Sequence, residues 1–490
     1  MKQKRVVVSA LILLFIWVII VTAVSTWQQV NNNGFGDLQA SEVSAVEPFG
    51  DYLYAGTSNA TNSARIFRSP DGLTWTPVID PGFGNPHDTA PLAILDMLVF
   101  NGYLYASTGR GNAAQIWRTV DGVNWARVVN AGFGDPDIVN ITVLAEFNGL
   151  IYAGATHSIT GAQIWRSFTG DSNSWTQVAP SAAGTSAAGV TGFAVFDGAL
   201  YAAVEFEDGS PVQIWRSFGG DWTAVMTNGF GNSNTVFAGG MAEFSGYLYV
   251  GAGNTVHGAQ LWRSGDGTNW TQVINLGFGG ADNEKAELVY TFQNQLYVSE
   301  KNLSTGLAIW RSSDGLILEQ ANLDGFGDSE NINTNWSNAT ANFLNQLYVG
   351  TTNAIDGGEL WQQEQPFGVD LSPNATLQGA AGQIVTYTLS VTNTGKMIDT
   401  FNLGVAGNSW VTELSAPSIV LAPGSSSTFT VAVTIPSYVS SGTADIVTLT
   451  ATSQGNLAIN DSVTLTTQCL EQAWRISLPL VIRTVFSKQP

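Results

Sequence analysis

A repeat runs through most of this sequence. A Leu-Tyr or Ile-Tyr pair returns seven times, at intervals of 47 to 51 residues. Self-similarity at such a period is the signature of a solenoid, a propeller or another repeat array. The tyrosines of these pairs are Tyr54, Tyr105, Tyr152, Tyr201, Tyr249, Tyr297 and Tyr348.

Three further marks recur with the tyrosine. An aromatic residue follows it on a later strand-like run, and an arginine comes directly after that residue in six of the seven repeats. A tryptophan closes most repeats, and a Gly-Phe-Gly motif follows most closing runs. The first set is Phe67, Trp117, Trp165, Trp215, Trp262, Trp310 and Trp361. The closing set is Trp27, Trp75, Trp125, Trp175, Trp222, Trp270 and Leu318.

Each repeat contains four short strand-like runs. In the second repeat, Asn101-Gly102 separates the first two runs and Asp121-Gly122 separates the last two, and both dipeptides are hairpin turn signals. Four antiparallel strands in a repeat of this length form one propeller blade. The sequence therefore predicts an all-β fold, with a seven-bladed β-propeller over residues 26–363.

The ends of the repeat array fit together. Trp361 lies on a predicted third strand, and no fourth strand follows it. The array begins instead with an unmatched fourth-strand run, 27–30. We expect this N-terminal strand to complete the last blade and close the ring, which also removes an exposed strand edge.

The periodicity changes after a short linker, 364–368. From 369 to 468 the apolar residues alternate with period two, as in Val385–Val391, and turns rich in Gly and Pro separate the runs. Roughly seven such runs in about 100 residues predict an Ig-like β-sandwich. The apolar tail, 469–490, is too short to span a bilayer. It is interpreted as a last strand docked on the sandwich or as a retention or sorting element.

The first 25 residues have the pattern of an export signal. Lys2, Lys4 and Arg5 precede an apolar run that is followed by small residues near Ala23 and Ser25. This pattern predicts a secretory signal peptide. The apolar run is also long enough to serve as an uncleaved membrane anchor. In both cases the remainder of the chain is expected to be secreted or to lie on the extracytoplasmic cell surface.

Charge and cysteine content exclude several classes of partner and site. The formal net charge is −20, with 18 Lys+Arg against 38 Asp+Glu. A chain without basic clusters is a poor partner for nucleic acid, because binding to phosphates depends on such clusters. Cys469 is the single cysteine, so neither an internal disulfide nor a cysteine-based zinc site is expected.

The turns between third and fourth strands resemble a known motif. Residues 69–75 and 264–270 resemble the Asp-box of sialidase-like propellers, although they are one residue shorter than that pattern. The resemblance implies a propeller in which the box is structural. It also raises sialidase activity, which in that family requires an arginine triad. Outside the repeated position the propeller has only Arg65, Arg110 and Arg127, so such a triad is hard to build.

The second domain carries a resemblance of its own. The run 391–395, with 421–424 downstream, resembles the Ig-like modules appended to bacterial α-galactosidases. In that family the module is an accessory spacer without catalytic residues. The resemblance therefore implies a spacer role for residues 369–468.

The repeated marks have both a structural and a functional interpretation. The arginines either pack between blades, on aromatic faces or acids, or form a ring of cations. The phenylalanine of Gly-Phe-Gly either fills space beneath a tight turn or offers a stacking platform for sugars. The residue after the motif either caps the turn or binds Ca²⁺, although no Asp-x-Asp-x-Asp run supplies the oxygens of a calcium site. These last residues are Asp37, Asn85, Asp135, Asn232 and Asp328.

Residues that break the repeat are the better candidates for ligand binding. We expect them in loops between second and third strands, which open with the Gly-Phe-Gly loops on one face of the propeller. Solvated loop polarity is the alternative for each of them. The candidates are Arg110, His157, Glu205, His257, Glu300 and Lys301, with Glu207 and Asp208 beside them.

The sequence thus predicts a monomeric, non-catalytic binding or adhesion protein. Its ligand is a glycan or an extracellular protein, bound on the loop face of the propeller, and no cofactor is expected except Ca²⁺ as an open possibility. The alternative is a sialidase-like glycoside hydrolase with acids such as Glu205 and Glu300 at the channel mouth. Retaining hydrolysis needs two carboxyl groups about 5 Å apart. The chain has no Gly-x-Ser-x-Gly or His-Glu-x-x-His motif.

Overall fold

The fold is known from a computed structural model. It describes residues 27–85, 91–109, 114–179, 188–206, 208–280, 282–334, 337–457 and 459–470. The predicted signal segment, Arg110, Glu207 and residues 471–490 of the predicted tail lie outside these ranges. The described chain is almost entirely β and divides into two compact units between Trp361 and Gln362. Within the described ranges, no helix is long and apolar enough to cross a bilayer.

The N-terminal unit contains seven four-stranded antiparallel modules in the described residues. Five are separate sheets, and modules 1 and 2 are joined into one eight-stranded sheet by a bridge between Ser58 and Ala93. Module 1 is β2 (Ala40–Phe49), β3 (Tyr52–Asn59), β4 (Ile66–Ser69) and β5 (Thr76–Pro77). Module 2 is β6 (Ala93–Phe100), β7 (Tyr103–Gly109), β8 (Ile116–Thr119) and β9 (Ala126–Val129). Module 3 is β10 (Ile138–Phe147), β11 (Leu150–His157), β12 (Gly161–Ser167) and β13 (Thr176–Ala179).

The next four modules repeat this arrangement, and the last of them includes the first strand of the chain. Module 4 is β14 (Ala188–Phe196), β15 (Ala199–Phe206), β16 (Gln213–Ser217) and β17 (Thr223–Met226). Module 5 is β18 (Thr235–Phe244), β19 (Tyr247–Asn254), β20 (Gly258–Ser264) and β21 (Thr271–Ile274). Module 6 is β22 (Asn283–Phe292), β23 (Gln295–Asn302), β24 (Ala308–Ser312) and β25 (Glu319–Gln320). Module 7 is β26 (Thr340–Phe343), β27 (Gln346–Gly350), β28 (Leu360–Gln363) and β1 (Trp27–Gln29).

The turns between first and second strands follow from their sequence. At Asn101 and Gly102 the backbone φ angles are 48° and 76°. Positive φ at both central residues defines the type I′ turn, whose twist matches that of the paired strands. The hairpin predicted from Asn101-Gly102 is therefore confirmed.

An aspartate organises the turn between third and fourth strands. Asp71 Oδ1 accepts the backbone N–H groups of Leu73 and Thr74, at 2.8 and 2.7 Å. The Thr74 and Leu73 bonds favour the ionised carboxylate and lower the pKa of Asp71 to about 2. The same pair of bonds recurs at Asp121, Asp266 and Asp314.

The modules follow one another in a closed order. The first strand of each module lies beside the first strand of the next, and β26 of module 7 lies beside β2 of module 1. The repeated tyrosine and the turn glycine meet across these contacts. The Tyr54 hydroxyl lies against Gly122 of the next module and leaves no room for a β-carbon there. The equivalent pairs are Tyr105–Gly170, Tyr201–Gly267, Tyr249–Gly315 and Tyr348–Gly72.

The strand β1 joins the two ends of the array, where the sequence analysis places it. It pairs with β28 in the sheet of module 7. The Val30 N–H donates to the Leu360 carbonyl at 2.9 Å, and the Leu360 N–H donates to Asn31 Oδ1 at 2.7 Å. Val30 is buried in a cluster shared by modules 7 and 1. The hydrophobic core thus lies between neighbouring modules, and this cluster continues it across the chain ends.

The C-terminal unit has two sheets around one core. Strands such as β31 and β36 alternate buried and exposed residues, which is the period-two pattern of a half-buried sheet. Cys469 is buried in this core as a free thiol. One sheet holds β29 (Val369–Ser372), β31 (Ile384–Asn393), β35 (Ser426–Thr434) and β33 (Val411–Leu414). The other holds β30 (Ala375–Gly379), β37 (Asn460–Cys469), β36 (Ala444–Ser453), β32 (Asp399–Ala406) and β34 (Ser418–Leu421).

Candidate binding sites

The structure places most of the predicted site residues on strands rather than in loops. His157, Glu205, Glu300 and Lys301 occupy the last residues of second strands in three modules. His257 lies in the turn that follows the second strand of module 5. The expectation of loop positions was therefore wrong for four of the five described candidates. Arg110 lies outside the described residues.

His157 performs a structural task that asparagine performs in other modules. Its Nδ1 accepts the backbone N–H groups of Ile159 and Thr160, at 3.0 and 3.1 Å. The proton must then be on Nε2, which lies 3.2 Å from Asp135 Oδ2. In module 1, Asn59 does the same: Oδ1 accepts two turn N–H groups and Nδ2 donates to Asp37. His157 is thus a substitute for asparagine in the second-to-third-strand turn.

This hydrogen bonding also bears on a possible metal site. The ligand atoms of Asp135, Asp137 and His157 lie within 4.8 Å of one another. A metal ion requires an imidazole nitrogen with a free lone pair. Nδ1 accepts two hydrogen bonds and Nε2 carries the proton, so the ring as placed offers no such nitrogen. The cluster fits a capped turn better than a metal centre.

Glu300 lies where module 6 lacks the glutamine that contacts the third-strand tryptophan in four other modules. In four modules a glutamine two residues before the third-strand tryptophan accepts its indole N–H, as Gln163 does from Trp165 at 3.0 Å. Module 6 has Ala308 at this position, and Glu300 is its cross-strand neighbour. Burial raises the pKa of Glu300 to about 8, with Asp324 adding to the rise and Trp310 opposing it. Only 4 % of Glu300 is exposed, so it is a buried acid beside Trp310.

The other predicted residues are also held by local contacts. Glu205 Oε2 accepts the backbone N–H of Ala238 at 3.0 Å. Lys301 Nζ lies 2.8 Å from Glu284 Oε2. The backbone N–H of His257 donates to Asn254 Oδ1 at 3.0 Å. Each candidate thus contacts a different part of its own or the next module, and these contacts do not join them into one site.

A charged group that the sequence analysis missed lies on an innermost strand. Lys285 Nζ is 3.2 Å from Glu287 Oε1, and both side chains are largely buried. Burial by itself would lower the pKa of Lys285, but Glu287 and Glu205 raise it, so the ammonium group stays charged. Lysine stands at this strand position in module 6, where modules 1 and 3 have Glu42 and Asn140, and this difference was the available signal.

A central cavity of about 340 Å³ is lined by the innermost strands. Its walls include apolar residues such as Met97 and Phe193 and three acids, Glu47, Asp96 and Glu243. The first two have raised pKa values. Burial and the nearby Asp96 raise the pKa of Glu47 to about 8. Burial raises the pKa of Asp96 to about 7, although its oxygens accept the N–H groups of Met97 and Leu144. Near pH 7 this pair holds protons that isolated carboxylates would release.

The repeated arginines serve packing between elements. Arg68, Arg118 and Arg263 lie over tyrosine rings at 4.4, 4.5 and 4.3 Å from the ring centroid. Arg311 forms a 2.9 Å ion pair with Glu319. The two others, Arg166 and Arg216, contact the Gly219 carbonyl and the Phe218 ring respectively. Five of the six guanidinium groups thus lie on an aromatic ring or an acid, as the structural interpretation expects. Among the described residues, packing between modules is found for Arg118, through Asp171, and for Arg166, through the Gly219 carbonyl.

The Gly-Phe-Gly phenylalanines stack on the third strand. Phe133 lies parallel to Trp165, with centroids 4.4 Å apart, and tilts against Trp175 at 5.4 Å. Its own φ angle is 63°, a left-handed backbone that non-glycine residues rarely adopt. Phe133 thus packs on Trp165 and Trp175 and remains half-buried. Parallel stacking recurs in Phe35–Phe67, Phe83–Trp117, Phe230–Trp262 and Phe326–Trp361.

Grooves between neighbouring modules open beside three of these phenylalanines. Each groove is lined by the fourth strand of one module, the Gly-Phe-Gly loop and the closing tryptophan of the next module. Groove 7/1 measures about 660 Å³, groove 2/3 about 450 Å³ and groove 4/5 about 420 Å³. These volumes fall in the range of small-molecule sites. The aromatic residues are Phe35, Phe67 and Trp75 in groove 7/1, Phe133, Trp165 and Trp175 in groove 2/3, and Phe230 and Trp270 in groove 4/5.

Polar side chains stand among these rings. Groove 2/3 is lined by Asn130, Ser172 and Asn173 besides its aromatic residues. Groove 4/5 is lined by Asn228 and Asn269. Amides and hydroxyls beside flat apolar rings can hydrogen-bond a ligand that also presents an apolar face. Sequence reasoning missed the grooves because their walls come from two modules, although the aromatic marks themselves were visible.

Comparison by sequence identifies no relatives. No known family profile matches the chain, and no curated protein matches it.

Comparison by structure finds matches of low sequence identity. The extracellular domain of a protein described as a hybrid two-component system from B. thetaiotaomicron has a TM-score of 0.47 and 14 % identity, over 91 % of this chain and 58 % of that one. A prolyl endopeptidase gives 0.43 and 10 %, over 73 % and 55 %. A protein described as a 6-phosphogluconolactonase from Bacteroides uniformis gives 0.40 and 12 %, over 63 % and 95 %. The chain thus spans little more than half of the first two, and none of the three assigns it an activity.

Proposed function

We propose that the protein is a secreted or cell-surface binding protein without catalytic activity, and that it binds glycans in the grooves between modules. The modules form a seven-bladed β-propeller whose Asp-centred turns are degenerate Asp-boxes. The C-terminal unit is an Ig-like spacer. The first 25 residues direct export, as a cleaved signal or an anchor.

One observation carries the binding proposal: aromatic grooves recur at equivalent positions between modules. Sugars place their C–H faces on aromatic rings and their hydroxyls on amide groups, and both kinds of group line each groove. Repetition favours a multivalent ligand, because several weak sites on one scaffold give high avidity. We therefore place the proposed ligand site in the grooves between modules and not at the residues predicted to lie in loops.

Titration of the exported chain with neutral oligosaccharides tests the proposal. Trp175→Ala and Trp270→Ala each remove a ring that lines a groove and are expected to lower the number of binding sites. Asn173→Ala, at the rim of groove 2/3, is a milder variant that leaves the packing intact. Phe168→Ala is the matched control, since that ring is 71 % exposed and lines none of the three grooves. Unchanged stoichiometry in the tryptophan variants would contradict the proposal.

Glycoside hydrolysis remains the competing function. Its best support is Glu300, an acid whose raised pKa would suit proton donation. The buried position of Glu300 beside Trp310 gives this residue a packing role instead. A hydrolysis screen on sialosides and other glycosides decides between the two: turnover lost in Glu205→Gln or Glu300→Gln would favour the enzyme.

A further inference from the structure

Groove 7/1 differs from the other grooves through a paired exchange of residues. In four modules a glutamine accepts the indole N–H of the third-strand tryptophan two residues later. Module 1 has Phe67 in place of that tryptophan and Arg65 in place of that glutamine. Phenylalanine has no N–H, so the acceptor is not needed there. Where four modules have a glutamine whose side-chain carbonyl accepts an internal hydrogen bond, module 1 therefore has the cationic donor Arg65.

One donor atom of this side chain, Nε, has no hydrogen-bond acceptor among the described residues. The Nε of Arg65 is buried and receives no acceptor, and the side chain lines the groove with Phe35, Phe67 and Trp75. Asp37 lines the same groove and interacts with Arg65 electrostatically, but it is committed elsewhere. Its two oxygens accept the Gln39 N–H and the amides of Asn59 and Asn62. Leaving a buried charged donor without an acceptor is costly.

We infer that groove 7/1 binds a carboxylate-bearing saccharide, with the Arg65 guanidinium on the carboxylate and the aromatic residues along the sugar ring. A planar guanidinium matches a carboxylate through two parallel N–H···O bonds. The groove, at about 660 Å³, is the largest of the three and has room for more than one sugar unit. The inference rests on the proposed glycan binding and adds a ligand class for one groove.

The test uses one ligand in two forms. A short oligogalacturonate carries carboxylates, and its methyl ester has the same skeleton without their charge. The wild-type exported chain is expected to bind the acid form at least tenfold more tightly, and this preference should shrink as salt is raised. Arg65→Gln, which restores the residue used in other modules, is expected to abolish the preference. Arg65→Lys keeps the charge but loses the planar fork and should retain only part of it.

Arg127→Gln is the matched control. It removes one positive charge from groove 2/3 and should leave the preference for the acid form unchanged. Melting curves of all three variants report whether each is folded. If the ester binds as tightly as the acid, or if Arg65→Gln keeps the preference, the inference is wrong while glycan binding stands. If neither form nor any neutral oligosaccharide binds, the proposed function fails and the inference fails with it.

Discussion

At the residue scale, some residues that differ from the repeat take over the contacts or the space of the residue found there in other modules. His157 supplies the acceptor and donor that asparagine supplies elsewhere. Glu300 occupies the space left where Ala308 replaces the usual glutamine. Arg65 faces no such internal partner. An unpaired polar atom alone does not single out a functional residue, because Glu300 Oε2 is also buried without a hydrogen-bond partner among the described residues. Arg65 differs from Glu300 in that its side chain lines a groove.

The His157 interpretation predicts the outcome of two substitutions. His157→Asn keeps an acceptor and a donor in place, so its melting temperature should stay close to that of the wild type. His157→Leu leaves two N–H groups and Asp135 without their partners, at a cost of about 1 to 3 kcal/mol. Differential scanning calorimetry separates the two variants. A destabilised asparagine variant would contradict the interpretation.

The raised pKa of Glu300 predicts a pH-dependent stability. Its folded pKa of about 8 lies above the ordinary value of 4.5, so between these values the folded state holds a proton that the unfolded state has released. Stability contributed by this site is therefore greatest at low pH and falls as pH rises, by at most about 1.4 kcal/mol per unit. Glu300→Gln should match the wild type near pH 4 and melt at a higher temperature near pH 8. Parallel melting curves across that range would refute the assignment.

These residue roles were only partly visible in the sequence. The tyrosine, tryptophan and turn-glycine marks could be read directly, because each recurs at a fixed place in the repeat. A glutamine two residues before the third-strand tryptophan occurs in four modules and would have marked Arg65, Ala308 and Glu359 as exceptions. Whether an exceptional side chain has a partner depends on neighbours from another strand or module, which spacing along the chain does not reveal.

At the element scale, turns position the contacts between modules. Every Asp-centred turn holds its glycine at positive φ, and in five modules a tyrosine hydroxyl from the preceding module lies against that glycine. The turn signals that predicted hairpins thus also mark points of contact between hairpins. The contact with tyrosine cannot be predicted from the sequence of the turn, because the tyrosine belongs to the preceding module.

Two glycine substitutions separate the role of the glycine in the turn from its role in the contact with tyrosine. Gly122→Ala adds a β-carbon where the Tyr54 hydroxyl lies, whereas Gly102→Ala adds one where nothing is within 4 Å. Both glycines have a φ of 76°, so both variants share a backbone cost of about 1 kcal/mol. Gly122→Ala should therefore melt several degrees below Gly102→Ala. Equal melting temperatures would show that the Tyr54 side chain can move away from the added β-carbon without loss of stability.

At the scale of the whole molecule, the ring of modules depends on the pairing of β1 with β28. The repeat count and the missing fourth strand predicted this pairing, and the hydrogen bonds between Val30, Asn31 and Leu360 realise it. The grooves could not be foreseen in the same way. Groove 7/1 is lined by residues within 28–37 and 65–77, so its walls combine β1, a Gly-Phe-Gly loop and the last two strands of module 1.

Removal of β1 tests this dependence. A chain that starts at residue 34 loses the β1–β28 pairing and the buried Val30, and leaves the edge of β28 exposed. Its melting temperature should fall by roughly ten degrees or more relative to a chain that starts at residue 27. Gln28→Ala, on the exposed side of β1, should change little and serves as control. Identical melting of the two truncated chains would rule out β1 as a stabilising strand.

The β1–β28 pairing also sets an order of events during synthesis. The strand that emerges first binds one that emerges more than three hundred residues later, so the ring cannot close until nearly the whole array has been made. Contacts this distant in sequence form slowly, because the entropy cost of closing a long loop comes before any stabilising contact is made. Until then the edge of module 7 and the apolar face of module 1 are open to other chains. For this protein the interval between synthesis and closure is the period of greatest exposure to aggregation.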